Sequence, residues 1–516
     1  MTDQTYGPAA REWLMTRLQT CLIACASLIL LADWLFYGRR LGISVLLFMV
    51  ALGAFSLIAN GLNARRKEIA TAVAILIVAL IPLVESTNLL ALAFGAAGVS
   101  AFALMVSGHW QGALATRLWA MLGLYAAGPW RSAAAALHEH RGRRVIGQRQ
   151  TLLGRLSLWI VPLLLCGVFL MLFASANPLI DRWLHAIDIY ALLGILDSSR
   201  MIFWLIVAGL TWPLLYVTAR KQRVAKVPAA KLETTEAEEK PAGLALLSDG
   251  TILRSLVLFN LLFAMQSSMD AAYLWGGVAL PDGMSYAAYA HRGAYPLMAT
   301  ALLAAGFVLA ALRPGSSAER SPLMRRLVYL FVGQNVLLVV SSILRLDLYV
   351  AAYSLTMLRV AAFIWMGLVA FGLVMIIARI ALNRSNGWLV GGNLIAAGIV
   401  LYACSMANFS DVIARYNIRH AFEGGRGLDL CYLSSLGPQA VPAIDHFIAQ
   451  RRAQGDFDGS TVKALSARRD MLAARVENPR RDWRSWSFGD HRLWRYLKKR
   501  RAAGAPDLKP SQPTEG

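Results

Sequence analysis

The chain has 516 residues, of which 57% are hydrophobic and 16% are charged, and its mean hydropathy is +0.51. Soluble domains carry about 25% charged and about 45–50% apolar residues, so this composition excludes a disordered protein, a nucleic-acid-binding tail protein and an ordinary soluble enzyme. The formal net charge is nonetheless +21. The composition is that of a membrane protein whose cations have to lie mostly outside the lipid.

Apolar stretches of membrane-spanning length recur along the chain. About 20 apolar residues cross a bilayer as a helix, and a backbone in lipid has to satisfy its own hydrogen bonds. Eleven stretches qualify, at about 20–38, 41–61, 69–86, 88–107, 156–176, 200–219, 252–275, 294–312, 327–344, 355–378 and 388–406. The sequence therefore predicts an all-α fold, a polytopic transmembrane helical bundle of about eleven spans with a small C-terminal helical domain outside the membrane.

Residues 113–137 form an apolar stretch of a different kind. Arg117, Pro129 and Arg131 interrupt it, and Trp119 suits the depth of the lipid headgroups. These features favour a helix lying in the membrane interface. A twelfth span is the alternative, and it would invert the topology of the segments before it relative to the segments after it.

Lysine and arginine alternate between the two sides of this arrangement. With a cytoplasmic N-terminus, the inner segments carry 24 of these residues and the outer loops carry six. Cytoplasmic loops are enriched in Lys and Arg, so the asymmetry supports both the number of spans and their orientation. The sequence predicts a protein of the bacterial inner membrane with an extracytoplasmic C-terminal tail.

The sequence divides into six predicted segments. They are a four-span block with an interfacial helix at 1–150, spans five and six at 151–220, a charged flexible linker at 221–250, a five-span core at 251–408, a basic extracytoplasmic helical tail at 409–501, and a disordered end at 502–516. Within the tail, 434–453 and 461–478 have the pattern of short amphipathic helices.

Ionisable side chains within spans are costly and are therefore functional candidates. Asp270 shares a helix face with Gln266 and Tyr273, at spacings i−4 and i+3, and the topology puts it near the outer end of its span. Tyr349, Tyr353, Thr356 and Arg359 form a second stripe if one helix carries them all. A pairing of Asp270 with Arg359 is a hypothesis that the sequence leaves open, and it would let each charge offset the other's desolvation.

An outward-open polar cavity between these helices is one hypothesis. Its candidate residues are Asp270, Arg359, Tyr273, Gln266, Tyr353, Arg292, His291 and Asn177. The alternative is a polar clamp between helices that fixes packing and binds nothing. Asp33, beside Trp34, is interpreted as a residue at the end of its span, among the lipid headgroups.

No catalytic, metal or cofactor motif stands out. His138 and His140 diverge on a helix and lack the spacing of a metal site, and no nucleophile elbow or phosphate-binding glycine loop is present. The expected cofactor is none and the expected metal is none.

The tail interleaves aromatic and basic residues between 480 and 501. Such a pattern can bind single-stranded nucleic acid, but a tail outside the cytoplasm would meet none. Two interpretations remain open. One places Trp483, Trp486, Trp494 and Tyr496 at the membrane interface, with cations near anionic lipid; the other is a basic helix that docks on the protein's own spans.

Several strings resemble a family of bacterial integral membrane proteins known only as domains of unknown function, the 4153/4173 group. They include FASANP at 173–178, YAAYAHRGAYPL at 286–297, IARYN at 413–417 and DWRSW at 482–486. Asp270 with AYLWGG at 272–277, residues 346–359, Asn408 and Asp411 also resemble it. The resemblance covers about residues 155–490 and implies a multi-pass membrane protein without an assigned activity.

Three function classes remain from the sequence. The first is a non-enzymatic envelope protein that binds, senses or has a structural role, with the polar cavity toward the outer face. The second is a secondary transporter or lipid flippase, and the third, least supported, is an enzyme acting on lipid-linked substrates. The expected partners are membrane lipids and an envelope protein or a small anionic or lipid ligand, with no nucleic acid.

Overall fold

The computed structural model describes residues 8–60, 65–126, 128–129, 166, 198–217, 249–272, 300, 303, 306–307, 321–424, 428–454, 460–477 and 482–503. Regular secondary structure in these ranges is helical, and the predicted all-α class is confirmed. In chain order the α-helices are α1 (Pro8–Phe36), α2 (Ile43–Asn60), α3 (Arg66–Glu85), α4 (Leu89–Val106), α5 (Leu114–Ala126), α6 (Ser198–Leu215), α7 (Asp249–Asp270), α8 (Pro322–Tyr353), α9 (Met357–Ala381), α10 (Asn386–Met406), α11 (Phe409–Gly424), α12 (Leu430–Ser435), α13 (Val441–Ala453), α14 (Ser460–Glu477) and α15 (Phe488–Ala502).

Eight of these helices are long and apolar enough to cross a membrane: α1 from Leu18, α2, α3, α4, α7 from Gly250, α8, α9 and α10. They coincide with eight of the eleven predicted spans, which makes the chain polytopic. The predicted span at 200–219 corresponds to the shorter apolar helix α6. The predicted spans at 156–176 and 294–312 lie outside the described residues, apart from single helical positions.

The chain divides into two compact units. The first comprises residues 1–223 together with 480–488, and the second comprises 224–479 together with 489–516. The boundary falls inside the segment predicted to be a linker, and the return of 480–488 to the first unit was not predicted from sequence.

Antiparallel helices build the first unit. α3 and α4 approach closely at Gly98, where an added Cβ would lie 2.4 Å from the Cβ of Ala79. Small residues permit such approaches between membrane helices. The core of this unit comes from α1, α2, α3, α4 and α6, which accords with the apolar runs of the sequence.

The direction of α6 constrains how many times the chain before it crosses the membrane. Arg200 near its start contacts Asp33 near the end of α1, and the Cys21 thiol donates to the Leu215 carbonyl at the opposite ends. α6 is therefore antiparallel to α1 and has the same direction as α4. If α6 crosses the membrane as predicted, an odd number of crossings has to separate it from α4, and the predicted span at 156–176, almost all of it outside the described residues, would provide one.

The second unit contains a parallel pair of helices. Asn260 of α7 donates to the Leu327 carbonyl of α8, while Asp270, ten residues further on, contacts Ser341 and Arg345. α7 and α8 therefore have one direction, which requires an odd number of crossings between them. The predicted span at 294–312, most of which lies outside the described residues, would supply one.

Buried residues follow a heptad pattern along α8. Its members alternate at spacings of four and three: Met324, Val328, Phe331, Asn335, Leu338, Ser342 and Arg345. Such spacing keeps one seam of a long helix against its neighbours. The seam continues past residue 344, where the predicted span ends, and places Arg345 inside a helix instead of in an outer loop.

The predicted stripe from Tyr349 to Arg359 is interrupted. α8 ends at Tyr353, Ser354 has a left-handed backbone with φ of 69°, and Thr356 caps the start of α9 by accepting from the Arg359 amide. A continuous stripe across these residues is therefore wrong, because a turn separates its two halves.

The C-terminal helices α11 to α15 enclose their own hydrophobic core. Its largest fully buried side chains are Ile444, Phe447 and Leu433. Helices α13 and α14 correspond to the amphipathic helices predicted at 434–453 and 461–478, although α13 begins later, after the turn at Gly437, where φ is +82°.

Candidate functional site

Asp270 lies at the end of α7 among hydrogen-bond donors from α7 and α8. It is 2% exposed and forms an ion pair with Arg345, which is 3% exposed. The Ser341 hydroxyl donates to its Oδ2 at 2.5 Å, and Gln266 Nε2 donates to Oδ1 at 2.9 Å. Charge neutralisation by an arginine on the neighbouring helix α8 lets both groups lie within the membrane-spanning region.

Arg359 has a different role from the one predicted. Its guanidinium donates to the Tyr353 carbonyl at 2.7 Å and to the Ser354 carbonyl, and it lies 4.4 Å from the ring centroid of Tyr349. A cation at this place satisfies carbonyls at the C-terminal end of α8 and interacts favourably with the helix dipole. The predicted Asp270–Arg359 pair is wrong; Asp270 pairs with Arg345.

The structure describes some of the other residues predicted to line the cavity. Gln266 is half-buried beside Asp270, whereas the Tyr353 side chain is exposed. Tyr273, His291, Arg292 and Asn177 lie outside the described residues, as do His138 and His140. The described part of the site is thus a polar junction between two helices, and a cavity around it stays a prediction.

The first unit contains a comparable junction. Arg200 of α6 donates to both carboxylate oxygens of Asp33, and the Trp204 indole donates to Oδ1 at 2.9 Å. The Arg200 guanidinium also lies 5.1 Å from the Tyr37 ring centroid. Asp33 is therefore a clamp between α1 and α6, a more specific role than the headgroup contact that the sequence indicated.

A third buried carboxylate organises the C-terminal helices. Asp445 is 2% exposed and accepts from Arg469 Nε at 2.8 Å and from the Tyr496 hydroxyl at 3.1 Å, while Arg500 pairs with it at 2.7 Å. Burial raises the pKa of Tyr496, and the neighbouring Asp445 charge raises it further. Tyr496, one of the residues that the sequence offered for the membrane interface, thus directs its hydroxyl into this cluster.

Residues 482–488, which we call the strap, pack against α1 and α2. The Ile43 amide donates to the Trp486 carbonyl at 2.7 Å, and the Trp34 and Trp483 ring centroids lie 5.9 Å apart. A Cβ on Gly42 would lie 2.3 Å from the Ser485 carbonyl carbon. The strap therefore requires glycine where α2 begins.

Charged groups also hold the strap. Asp482 pairs with Arg39 and with Arg484, each at 2.9 Å, and Arg484 lies 4.3 Å from the Trp34 ring centroid. The hydrogen bond from the Arg484 backbone amide lowers the pKa of Asp482 most strongly; desolvation opposes this, and the Arg484 and Arg39 guanidiniums lower the pKa further. These ion pairs stabilise the strap above the ordinary Asp pKa, and their contribution is lost as the pH falls through the lowered value.

Comparison with known proteins gives a family but no activity. Residues 69–447 match the family model of a domain of unknown function, DUF4153. No curated protein and no solved structure matches the chain. Since the match extends over more than half of the chain, from α3 to α13, this polytopic membrane protein belongs to the DUF4153 family.

Proposed function

We propose that the protein is a non-enzymatic protein of the bacterial inner membrane whose C-terminal helical domain, on the outer face, binds or senses a component of the cell envelope. The observation that carries the proposal is the construction of the described C-terminal helices α11 to α15. These helices have their own core, built around Asp445, and they follow the last span as a folded body rather than a loose tail.

The number of membrane crossings supports an outer location for the C-terminal helical domain. Arg39 and Ile43, in the turn between α1 and α2, contact Asp482 and Trp486, so these segments lie on one side of the membrane. The chain therefore crosses an even number of times between 43 and 482. The ten spans predicted after α1 meet this requirement when 113–137 stays on one side, and the 24-to-six distribution of inner and outer cations supports an outer location for that side.

The hydrogen bonding of three aspartate carboxylates supports a non-enzymatic role. Asp33, Asp270 and Asp445 each accept hydrogen bonds from an arginine and at least one other side chain. A general acid or base needs a perturbed group that substrate can reach, whereas these three are held in place between helices. Their role is to stabilise the packing of neighbouring helices.

Photo-cross-linking in intact cells tests the proposal. A cross-linking residue at Met471, which is 51% exposed on α14, should capture extracytoplasmic components. The same residue at Ile77, which is exposed on the membrane helix α3, is the matched control and should yield lipid adducts. Capture of cytoplasmic proteins at Met471, or adducts no different from those at Ile77, would contradict the proposal.

A secondary transporter or lipid flippase is the second candidate, and the buried Asp270–Arg345 pair within the spans favours it. The double variant Asp270→Asn with Arg345→Gln separates the two functions. A transporter that uses the pair loses its function in cells although the protein folds. An outer-face binding protein keeps its function in the same variant.

A further inference from the structure

We infer that the turn between α1 and α2, together with the strap, forms a binding surface for an anionic phospholipid headgroup. We call this surface the aromatic collar, and it consists of Trp34, Arg39, Arg40, Leu41, Trp483, Arg484, Trp486 and Phe488. The inference deepens the proposed function by naming a ligand class, and it depends on that proposal only for which leaflet supplies the lipid.

Exposed apolar side chains are concentrated on the collar. Trp34 is 54% exposed, Trp483 50% and Leu41 49%, and Trp486 and Phe488 are also exposed. The Ile43–Trp486 hydrogen bond fixes this group to the first residue of a membrane helix. Aromatic side chains at the end of a span lie at headgroup depth, so lipid covers the collar.

The net positive charge of the collar favours an anionic lipid headgroup. Asp482 is the one acidic residue in its two segments, 34–43 and 482–488, and Arg39 and Arg484 both pair with it. Arg40 is exposed beside them. Three arginines against one aspartate leave a net positive charge among aromatic rings, which favours an anionic phosphate ester over a zwitterionic one.

The aromatic rings also distinguish a lipid from a free anion. Arg484 is stacked on Trp34 and hydrogen-bonded to Asp482, so its position is set before any ligand arrives. A soluble phosphate would meet the cations but leave the exposed rings in water. A phospholipid satisfies both, because its acyl chains lie beside α1 and α2 while its phosphate lies at the turn.

Lipid binding to the purified full chain tests the inference. Native mass spectrometry in a neutral detergent counts bound short-chain phosphatidylglycerol and phosphatidylcholine. Phosphatidylglycerol should bind more tightly, and Arg40→Gln should weaken its binding about fivefold, the effect of one interfacial cation, without changing phosphatidylcholine binding. Arg468→Gln, an exposed arginine on α14 with the same charge change, is the control and should have no effect.

Two results would overturn the inference. One is equal phosphatidylglycerol affinity in Arg40→Gln, Arg468→Gln and the unaltered chain. The other is displacement of the lipid by free glycerol phosphate at the same concentration, which would reveal a soluble-anion site. Circular dichroism confirms that the variants fold. Because this assay reports neither topology nor an envelope partner, its failure leaves the proposed function to be judged separately.

Discussion

Replacing Arg345 by glutamine is expected to lower the free energy of unfolding by about 3–5 kcal/mol, because a buried ion pair loses one of its two charged partners. Asp270 is 2% exposed, and among its described donors Ser341 and Gln266 are neutral. Thermal unfolding in detergent, followed by circular dichroism, measures the loss. Adding Asp270→Asn should restore most of the stability, since the second substitution removes the buried charge that Arg345 had faced.

Arg359→Gln is the matched control for this experiment. Arg359 donates to the carbonyls of Tyr353 and Ser354, so its loss should cost about 0.5–3 kcal/mol, the range for hydrogen bonds made by a charged group and for their removal. Asp270→Asn should not rescue it. Rescue of Arg359→Gln by Asp270→Asn, with no rescue of Arg345→Gln, would restore the pairing expected from sequence and contradict the structure.

Replacing Gly42 by valine is expected to release the strap. The added Cβ would lie 2.3–2.7 Å from three backbone atoms of Arg484 and Ser485, and backbone atoms cannot move aside as a flexible side chain does. Arg484 has only 11% of its side chain exposed in the docked strap. Trypsin should therefore cleave after Arg484 about tenfold faster or more in the variant, because cleavage follows the population of the open state.

Gly209→Val provides the comparison. A Cβ at Gly209 on α6 meets nothing within 4 Å, so this variant should leave cleavage after Arg484 unchanged. Equal cleavage rates in Gly42→Val and the unaltered chain would mean that the strap does not need the close approach at Gly42.

The fold was predictable where it depends on local properties of the sequence. Apolar length alone defines α2, α3, α4, α9 and α10, since a membrane helix has to contain its own hydrogen bonds. The C-terminal end of α8 was not predicted, because the prediction relied on apolar length alone. Residues 345–353 include Arg345 and Asp347, so hydropathy ends the span at 344, whereas the heptad seam and the Asp270 contact continue the helix.

Partners of the polar residues were less predictable, because they depend on which helices are neighbours. Spacing correctly placed Gln266 beside Asp270, one helical turn away. It gave no means of choosing between Arg345 and Arg359, which differ by the left-handed turn at Ser354. That turn uses serine rather than glycine, so no sequence signal marked it.

The strap and the Asp445 cluster involve contacts of long sequence separation. Arg39 and Asp482 are 443 residues apart, and Asp445 and Tyr496 are 51 apart. The aromatic and basic pattern at 480–501 indicated a surface role, and of the two interpretations left open from sequence the membrane-interface one stays a prediction. The strap packs on α1 and α2, while its tryptophans remain exposed.

Cysteine accessibility in intact cells tests the central claim, the eleven-span topology with an outer C-terminal domain. Cys431 is a natural exposed probe on α12, and Gln111→Cys and Gln148→Cys flank residues 113–137, each as a single cysteine in an otherwise cysteine-free chain. A membrane-impermeant maleimide should label Cys431 in intact cells and reach the two engineered cysteines only after permeabilisation. Protection of Cys431, or labelling of one engineered cysteine without the other, would contradict the topology and with it the outer-face function.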